Sequence, residues 1–523
     1  MRNQNIRSKL RYKIFALITA PWLGLCTGGL ASAAPEGEMV IAAPLLIQNF
    51  DPTNHQAASD YLPHSMLFDG LLNLGATGKE PALATDWTIS DDKLMIEFNL
   101  RRGVKFHNGD EFTGEDVQFT FHRILSPEST HNARKPIIAA LDRVEVVNPF
   151  KVRFHLKKIW VDFFTSVRSG GTGAIVPKNY YEKVGDKGFQ QNPIGTGPFM
   201  LSSIQAGEFS KFEANPNYWG QVSNTKFVTQ RLVAEPFTRY AMLERGEADI
   251  IMGITGPLLE KIKASDKLTT VSTRYSGTSI ISFNRGTNPE FKDRRVRLAI
   301  AHAIDRQAIA DTILGGVCEP ATHIFTPGTF GYEESIKPVP YDPAKAKQLL
   351  SEAGIAPGHE VDFTTHTQSF GSQPNAPMVL EAIAGYLEAV GLKPKRLPRE
   401  TGAWLAEMRA GKQRGIFYGP SSVPDDGGSL LRSWYGYQAW CGEPCNFGIK
   451  EYDQITDAQA VETDVNKREQ MLQDWAKMER ERFEIMPLYW CSTPFGITRS
   501  ITGWAPGLLS AYHQNLQSVV FEK

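Results

Sequence analysis

The hydrophobic pattern changes period part-way along the chain, and this change restricts the fold more than any other feature. The early segments repeat every two residues. Leu94, Ile96, Phe98 and Leu100 are apolar, with Glu97 and Asn99 between them, and Val152, Phe154 and Leu156 alternate with Arg153 and His155. Such patterning predicts half-buried, antiparallel strands. Residues 38–43 read as a buried strand, and His107-Asn108-Gly109-Asp110 supplies a turn. From Asp293 the period lengthens. Val296, Ala299, Ile300, Ala303 and Ile304 share one face of a helix over 293–313. Asp342-Pro343 opens a second helix, with Asp as cap and Pro in the first turn, and Gly354 ends it. An extended segment at 361–365, a helix at 377–390 closed by Gly391, another extended segment, a helix at 404–410 and a strand at 416–418 follow. Helix alternating with strand predicts an α/β region with a mainly parallel sheet.

The chain has 523 residues, enough for about three domains. Hydrophobic residues make up 41% and charged residues 22%, which excludes a disordered, collagen-like or coiled-coil chain. With 56 basic and 57 acidic residues there is no broadly basic surface for nucleic acid.

The first 33 residues stand apart. They hold Arg2, Arg7, Lys9, Arg11 and Lys13, no acidic residue, an apolar stretch over 14–25, and then Ala31-Ser32-Ala33. That order predicts a secretory signal peptide cleaved after Ala33. The apolar run is shorter than the ~20 residues of a spanning helix, and Pro21 interrupts it. Bulky Leu25 before Cys26 argues against a lipoprotein. Without the leader the net charge falls from −1 to −6. The expectation is a mildly acidic, soluble, exported body. Cys318, Cys441, Cys445 and Cys491 remain, an even number that favours pairing in an oxidising compartment. Cys441 and Cys445 are close enough for a small disulfide loop, with free thiols as the alternative. Whether Cys318 pairs with Cys491 is left open by the sequence.

Enzyme signatures are absent. None of the eleven His residues has another three or four places away, and neither a phosphate loop nor a Gly-x-Ser-x-Gly elbow occurs. Ser90-Asp91-Asp92-Lys93 matches a Ser-x-x-Lys pair, but its companion elements are missing, so it reads as a polar turn. Asp91-Asp92 and Asp425-Asp426 are neighbours that point to opposite faces of an extended chain, unsuited to an acid/base dyad. No cofactor and no metal site is expected.

Several long motifs occur in one order: "EPALATDWTISDDKLMIEFNLRRGVKFHNGDEFTGEDVQFTF" from Glu80, "NPIGTGPFML" at 192–201, "NPNYWG" at 215–220, "LERGEADI" at 243–250 and "FKDRRVRLAIAHAIDRQAI" at 291–309. Together they resemble the peptide/nickel class of ABC-transporter solute-binding proteins, the bacterial extracellular family 5. The resemblance spans nearly the whole chain after the leader. It implies a periplasmic-binding-protein fold: two hinged α/β lobes around a cleft, plus a third domain. Carried over, lobe I is 34–60, 190–275 and 495–523, the extra β-rich domain is 61–189, and lobe II is 276–494. It also implies a monomer in the periplasm that hands ligand to a membrane permease with its ATPase, by lobe closure rather than by catalysis. Peptides are the implied ligand; an opine, a sugar or a nickel chelate is the alternative, and a secreted hydrolase the remote one.

The strand at 273–284 resembles the family's crossover strand, beside which an extended peptide lies through main-chain hydrogen bonds. Tyr275, Ser276 and Gly277 are therefore candidates. The segment 415–434 resembles a loop that faces the cleft. Peptide-binding relatives commonly place an Asp early in it, against the ligand's amino terminus. Here Ser421 and Ser422 fall near that place, and Asp425 arrives later. A Ser cannot neutralise an ammonium group, so either Asp425 takes over or the ligand lacks a free α-amine. Arg432, Trp434 and Trp404 complete the candidates, each with a surface or core role as the alternative. Trp219 reads as core, Asp51 as a turn former, and Arg294, Arg295 and Arg297 as structural ion-pair partners.

Overall fold

The computed structural model describes residues 35–47, 49–54, 60–73, 80–131, 134–161, 163–169, 173–254, 256–273, 275, 277–367, 375–422, 426–434, 449–506 and 516–521. The predicted leader and the Cys441–Cys445 loop lie outside the described residues.

Strand pairing sorts these residues into three large sheets. The first has seven strands, in the order Leu268–Ser272, Pro494–Thr498, Ile250–Ile251, Glu36–Ala43, Thr225–Leu232, Phe209–Ala214 and Phe199–Gln205. Glu36–Ala43 lies parallel to both of its neighbours, and Met39, Ile41, Ala42 and Ala43 are buried. The second sheet has four antiparallel strands, Ala84–Ile89, Met95–Leu100, Lys151–Leu156 and Leu141–Asn148. The alternation read from sequence aims Phe98 and Phe154 inward, where they meet edge to face at 5.7 Å, and Phe121 packs on Phe154 at 5.0 Å. Ser90 to Lys93 turn between the first two strands. Ser90 Oγ donates to Asp92 at 2.6 Å and Lys93 takes φ 62°.

The third sheet has six strands: Cys318–Pro320, Met486–Cys491, Gly277–Phe283, Ile416–Ser422, His359–His366 and Leu392–Arg399. It is mixed, not mainly parallel as expected. Only the two pairings of His359–His366, with Leu392–Arg399 and with Ile416–Ser422, are parallel; the other pairings are antiparallel. The reason is connectivity. Gly277–Phe283 enters this sheet from the seven-stranded one and Met486–Cys491 returns to it, so the two run in opposite directions side by side.

The helix expected over 293–313 is two helices. Asp293 caps Arg294–Ala303, Ile304 turns extended, and Asp305 caps Arg306–Thr312 by accepting from Ala308 N at 2.9 Å. Asp342 caps Pro343–Glu352 as read, and Gly354 follows at φ 76°. Arg297 is buried. It donates to the carbonyls of Phe483, Phe291 and Arg482 at 2.7–2.8 Å and pairs with Glu484 at 3.1 Å. Arg295 pairs with Asp293 at 2.6 Å, and Arg294 donates to the Glu481 carbonyl.

Two distant motifs meet at one buried carboxylate. Asp69 accepts from Trp219 Nε1 at 2.8 Å, Thr196 Oγ1 at 2.9 Å and Tyr218 Oη at 3.0 Å. Burial pushes its pKa up to about 6 against those bonds. Arg101 lies 4.6 Å over the Trp219 ring, which packs against the four-stranded domain's core. Gly195 and Gly197 beside Thr196 do not use left-handed conformations. They admit close backbone approach instead, since a Cβ on Gly195 would stand 2.0 Å from the Leu67 carbonyl oxygen. Asp51 does form its turn, accepting from Thr53 N at 2.9 Å. It also binds Arg123 at 3.1 Å and Tyr181 Oη at 2.6 Å, which ties the early loop to the helix Gly114–Leu125.

Candidate functional site

The chain passes between the seven-stranded and six-stranded sheets at residues 272–277 and again at 491–494. The two passages bind each other. Thr273 N donates to the Thr493 carbonyl at 3.2 Å, and Thr493 N donates to Thr273 Oγ1 at 2.9 Å. Just beyond them, strand register lines up one end of the six-stranded sheet. Gly277 stands between Ser422 and Cys491, and Cys491 stands beside Cys318. Cys318 and Cys491 form a disulfide across a sequence separation of 173, which answers the pairing that the sequence left open. Ser492 N continues the clamp with a 2.8 Å bond to the Val317 carbonyl.

The strands Met486–Cys491, Ile416–Ser422, His359–His366 and Leu392–Arg399 all run toward this end of the sheet. Their carboxyl ends therefore border the junction of the lobes, where open α/β sheets take ligands. Tyr275 stands at the crossing, with its ring 6.0 Å from Trp490 and its hydroxyl bonded to Glu319. Trp490 is held in turn by Nε1 donating to the His323 carbonyl at 3.0 Å. Gly277 is buried and its backbone belongs to the sheet.

Of the other candidates, Ser421 and Ser422 end the strand Ile416–Ser422 opposite Thr278 and Gly277. Arg432 and Trp434 belong to the helix Gly427–Trp434. The side chains of these four residues, and Ser276 and Asp425 entirely, lie outside the described residues. Asp426, the partner of Asp425 in the acidic pair, makes a two-pronged contact with Arg468 at 2.6 and 2.7 Å and accepts from Gly428 N at 2.8 Å. Trp404 is wholly buried in the core with Phe417, Leu430 and Trp475. Its ring lies 4.7 Å from that of His366.

Sequence reading did not single out His366 or Glu319, and it left the Cys318–Cys491 pairing open. His366 ends a strand, is 4% exposed, and has Nε2 3.1 Å from the Tyr418 carbonyl. Burial pushes its pKa down to about 4. No local pattern marks a lone His at a strand end, and only the tertiary pairing joins cysteines so far apart.

The model of the bacterial extracellular solute-binding proteins, family 5, matches residues 79–440. A dipeptide-binding protein of Pseudomonas aeruginosa is 28% identical over 492 residues, covering 87% of this chain and 90% of its own length. Heme-binding protein A of Haemophilus influenzae is 31% identical over 393 residues, covering 71% and 68%. Among solved structures, the periplasmic binding protein DppA of Helicobacter pylori in complex with the peptide STSA superposes with a TM-score of 0.80 at 24% identity, over 93% of this chain and 98% of that one. That likeness establishes the two-lobed fold. With a family model matched over more than half its length, the chain belongs to the bacterial extracellular solute-binding proteins of family 5.

Proposed function

We propose that this chain is the exported substrate-binding component of an ABC importer and that it captures peptides between its two lobes. The observation that carries the reading is the crossing point, where Gly277, Ser422 and Cys491 bring three strand ends to the junction of the lobes. Main-chain groups at strand ends suit an extended peptide, because their hydrogen bonds do not depend on its side chains. The relatives that bind dipeptides support the same solute class. In this reading Tyr275, Ser276 and Gly277 border the ligand on one side, and Ser421, Ser422, Asp425, Arg432 and Trp434 on the other, with Trp404 packed behind. Ligand bound at the hinge favours the closed form by differential affinity, and no bond is made or broken. A monomeric body of lobe I, extra domain and lobe II then delivers the ligand to a permease and its ATPase.

Calorimetric titration with di- to hexapeptides, opines, sugars, a nickel chelate and heme tests the reading. A response to peptides alone is the expected result. A response to another class with none to any peptide overturns the peptide assignment. A specific observation favours one such class of outcome: the strand end that faces Gly277 carries Ser422 and not a carboxylate, which suits a solute without a free α-amine.

A further inference from the structure

One buried acceptor near the carboxyl end of the six-stranded sheet is left unsatisfied by the protein. His366 Nε2 lies 3.1 Å from the Tyr418 carbonyl, which can only accept, so Nε2 bears the proton. Burial holds the ring neutral at ordinary pH, with its pKa pushed down to about 4. Nδ1 is therefore a bare lone pair. It is buried and has no hydrogen-bond partner among the described residues. Buried polar atoms are seldom left in that state, and each needs an explanation. The ring is held from two sides, by Trp404 at 4.7 Å and Tyr418 at 6.0 Å, and does not turn to seek a partner without losing the Tyr418 bond.

Its place matters. Phe363 and Thr364 pair in parallel with Ile416 and Phe417, so His366 is the last residue of one strand while its neighbour continues to Ser422. The carboxyl ends of its strands are the ligand-binding edge of such a sheet, and His366 stands at that end of its strand.

We propose that His366 Nδ1 is a ligand subsite of the cleft and accepts a hydrogen bond from an N–H of the bound solute, an ammonium or an amide. This rests on the cleft reading given above. The subsite selects by hydrogen bonding and not by charge. A solute that lacks the N–H leaves Nδ1 unpaired and is rejected on that account. Trp404 acts at one remove, as a positioning residue that fixes the plane of the imidazole.

Three proteins test it: the wild type, His366→Asn and His366→Gln. The Asn carbonyl replaces Nδ1 as acceptor, whereas the Gln amide keeps a donor toward Tyr418 and removes the acceptor. Each is incubated with the small-molecule fraction of yeast extract and read by native mass spectrometry. The species retained by the wild type is expected on the Asn variant at comparable occupancy and to fall about tenfold on the Gln variant. Equal occupancy on all three overturns the proposal and leaves Nδ1 facing a buried water only. Retention of a non-peptide with the same loss on Gln upholds the subsite and overturns the peptide reading. Retention of a peptide with no loss does the reverse. Retention of nothing by the wild type overturns both. If the Gln variant fails to fold by circular dichroism, nitrogen-15 NMR of wild-type His366 decides: its Nδ1 resonance must move when the extract fraction is added, and a stationary resonance overturns the proposal.

Discussion

Asp69 and His366 are both buried polar groups in the same chain, yet their surroundings are opposite. Around Asp69 three donors, from Thr196, Tyr218 and Trp219, converge on one carboxylate and tie distant segments of the chain together. Around His366 the described residues supply one acceptor for Nε2 and nothing for Nδ1. A network closed on itself holds structure together, and a network with one open valence waits for something else. The family-like motifs "NPIGTGPFML" and "NPNYWG" meet at the closed site. Their long resemblance therefore speaks for architecture, while the open valence lies in a stretch that no motif marked.

The contrast predicts a ranking of effects. Asp69→Ala should have the largest cost in stability, about 4 kcal/mol, because three buried or half-buried donors lose their acceptor together. Denaturant unfolding reads it, and ligand affinity of the surviving folded protein should not change. An affinity loss as large as the stability loss would break the distinction between the two regions. Replacing both Cys318 and Cys491 by Ser should cost about 3 kcal/mol, given the long loop that the disulfide closes. Because that bond adjoins the crossing, it should weaken ligand binding as well, which Asp69→Ala should not.

A pH effect of intermediate size should follow. Burial pushes Glu479 up to about 7 and Asp69 up to about 6, above their unfolded values. The folded chain holds those protons more tightly, so their contribution is present at low pH and is lost as pH rises through 6 to 7. Burial pushes His107, His131, His323 and His366 down to about 4. Their contribution is present above the unfolded histidine range and is lost as pH falls toward 4. Thermal melts across pH 4–8 should therefore show a maximum between the two limbs. Glu479→Gln should flatten the upper limb by an amount on the order of 2 kcal/mol. An unchanged upper limb in that variant would show that Glu479 is not its source.

The smallest effect belongs to the open site. His366→Gln should change the stability of the unliganded protein by less than about 1 kcal/mol, because the donor to Tyr418 survives and an unsatisfied acceptor is removed. A large loss of stability here would make His366 a structural residue like Asp69.

Local chemistry made much of this molecule legible in advance. Alternation placed Phe98 and Phe154 on one face, and the Asp342-Pro343 cap with Gly354 bounded a helix, because both depend on neighbours in sequence. The break at Ile304 was hidden, since the apolar stripe runs on through it and only the Asp305 cap resets the helix. The mixed sheet was hidden for another reason. Strand direction there depends on where the chain crosses between lobes, and hydrophobic period carries no direction. The place of Tyr275 and Gly277 at the crossing between the two large sheets was legible through resemblance to a crossover strand. His366 and Glu319 were not, because what distinguishes them is a partner, or the lack of one, far away in sequence.

The strand Pro494–Thr498 lies inside the seven-stranded sheet, between Leu268–Ser272 and Ile250–Ile251, although it is among the last segments of the chain. A chain that emerges amino end first cannot finish this sheet until residues 494–498 have emerged. The four-stranded sheet, built from one continuous stretch, is free to fold at once, while the seven-stranded sheet waits with an open slot for its late strand. Assembly of this sheet therefore ends at the crossing, since the residues that fill the slot are the ones that have just passed between the two large sheets.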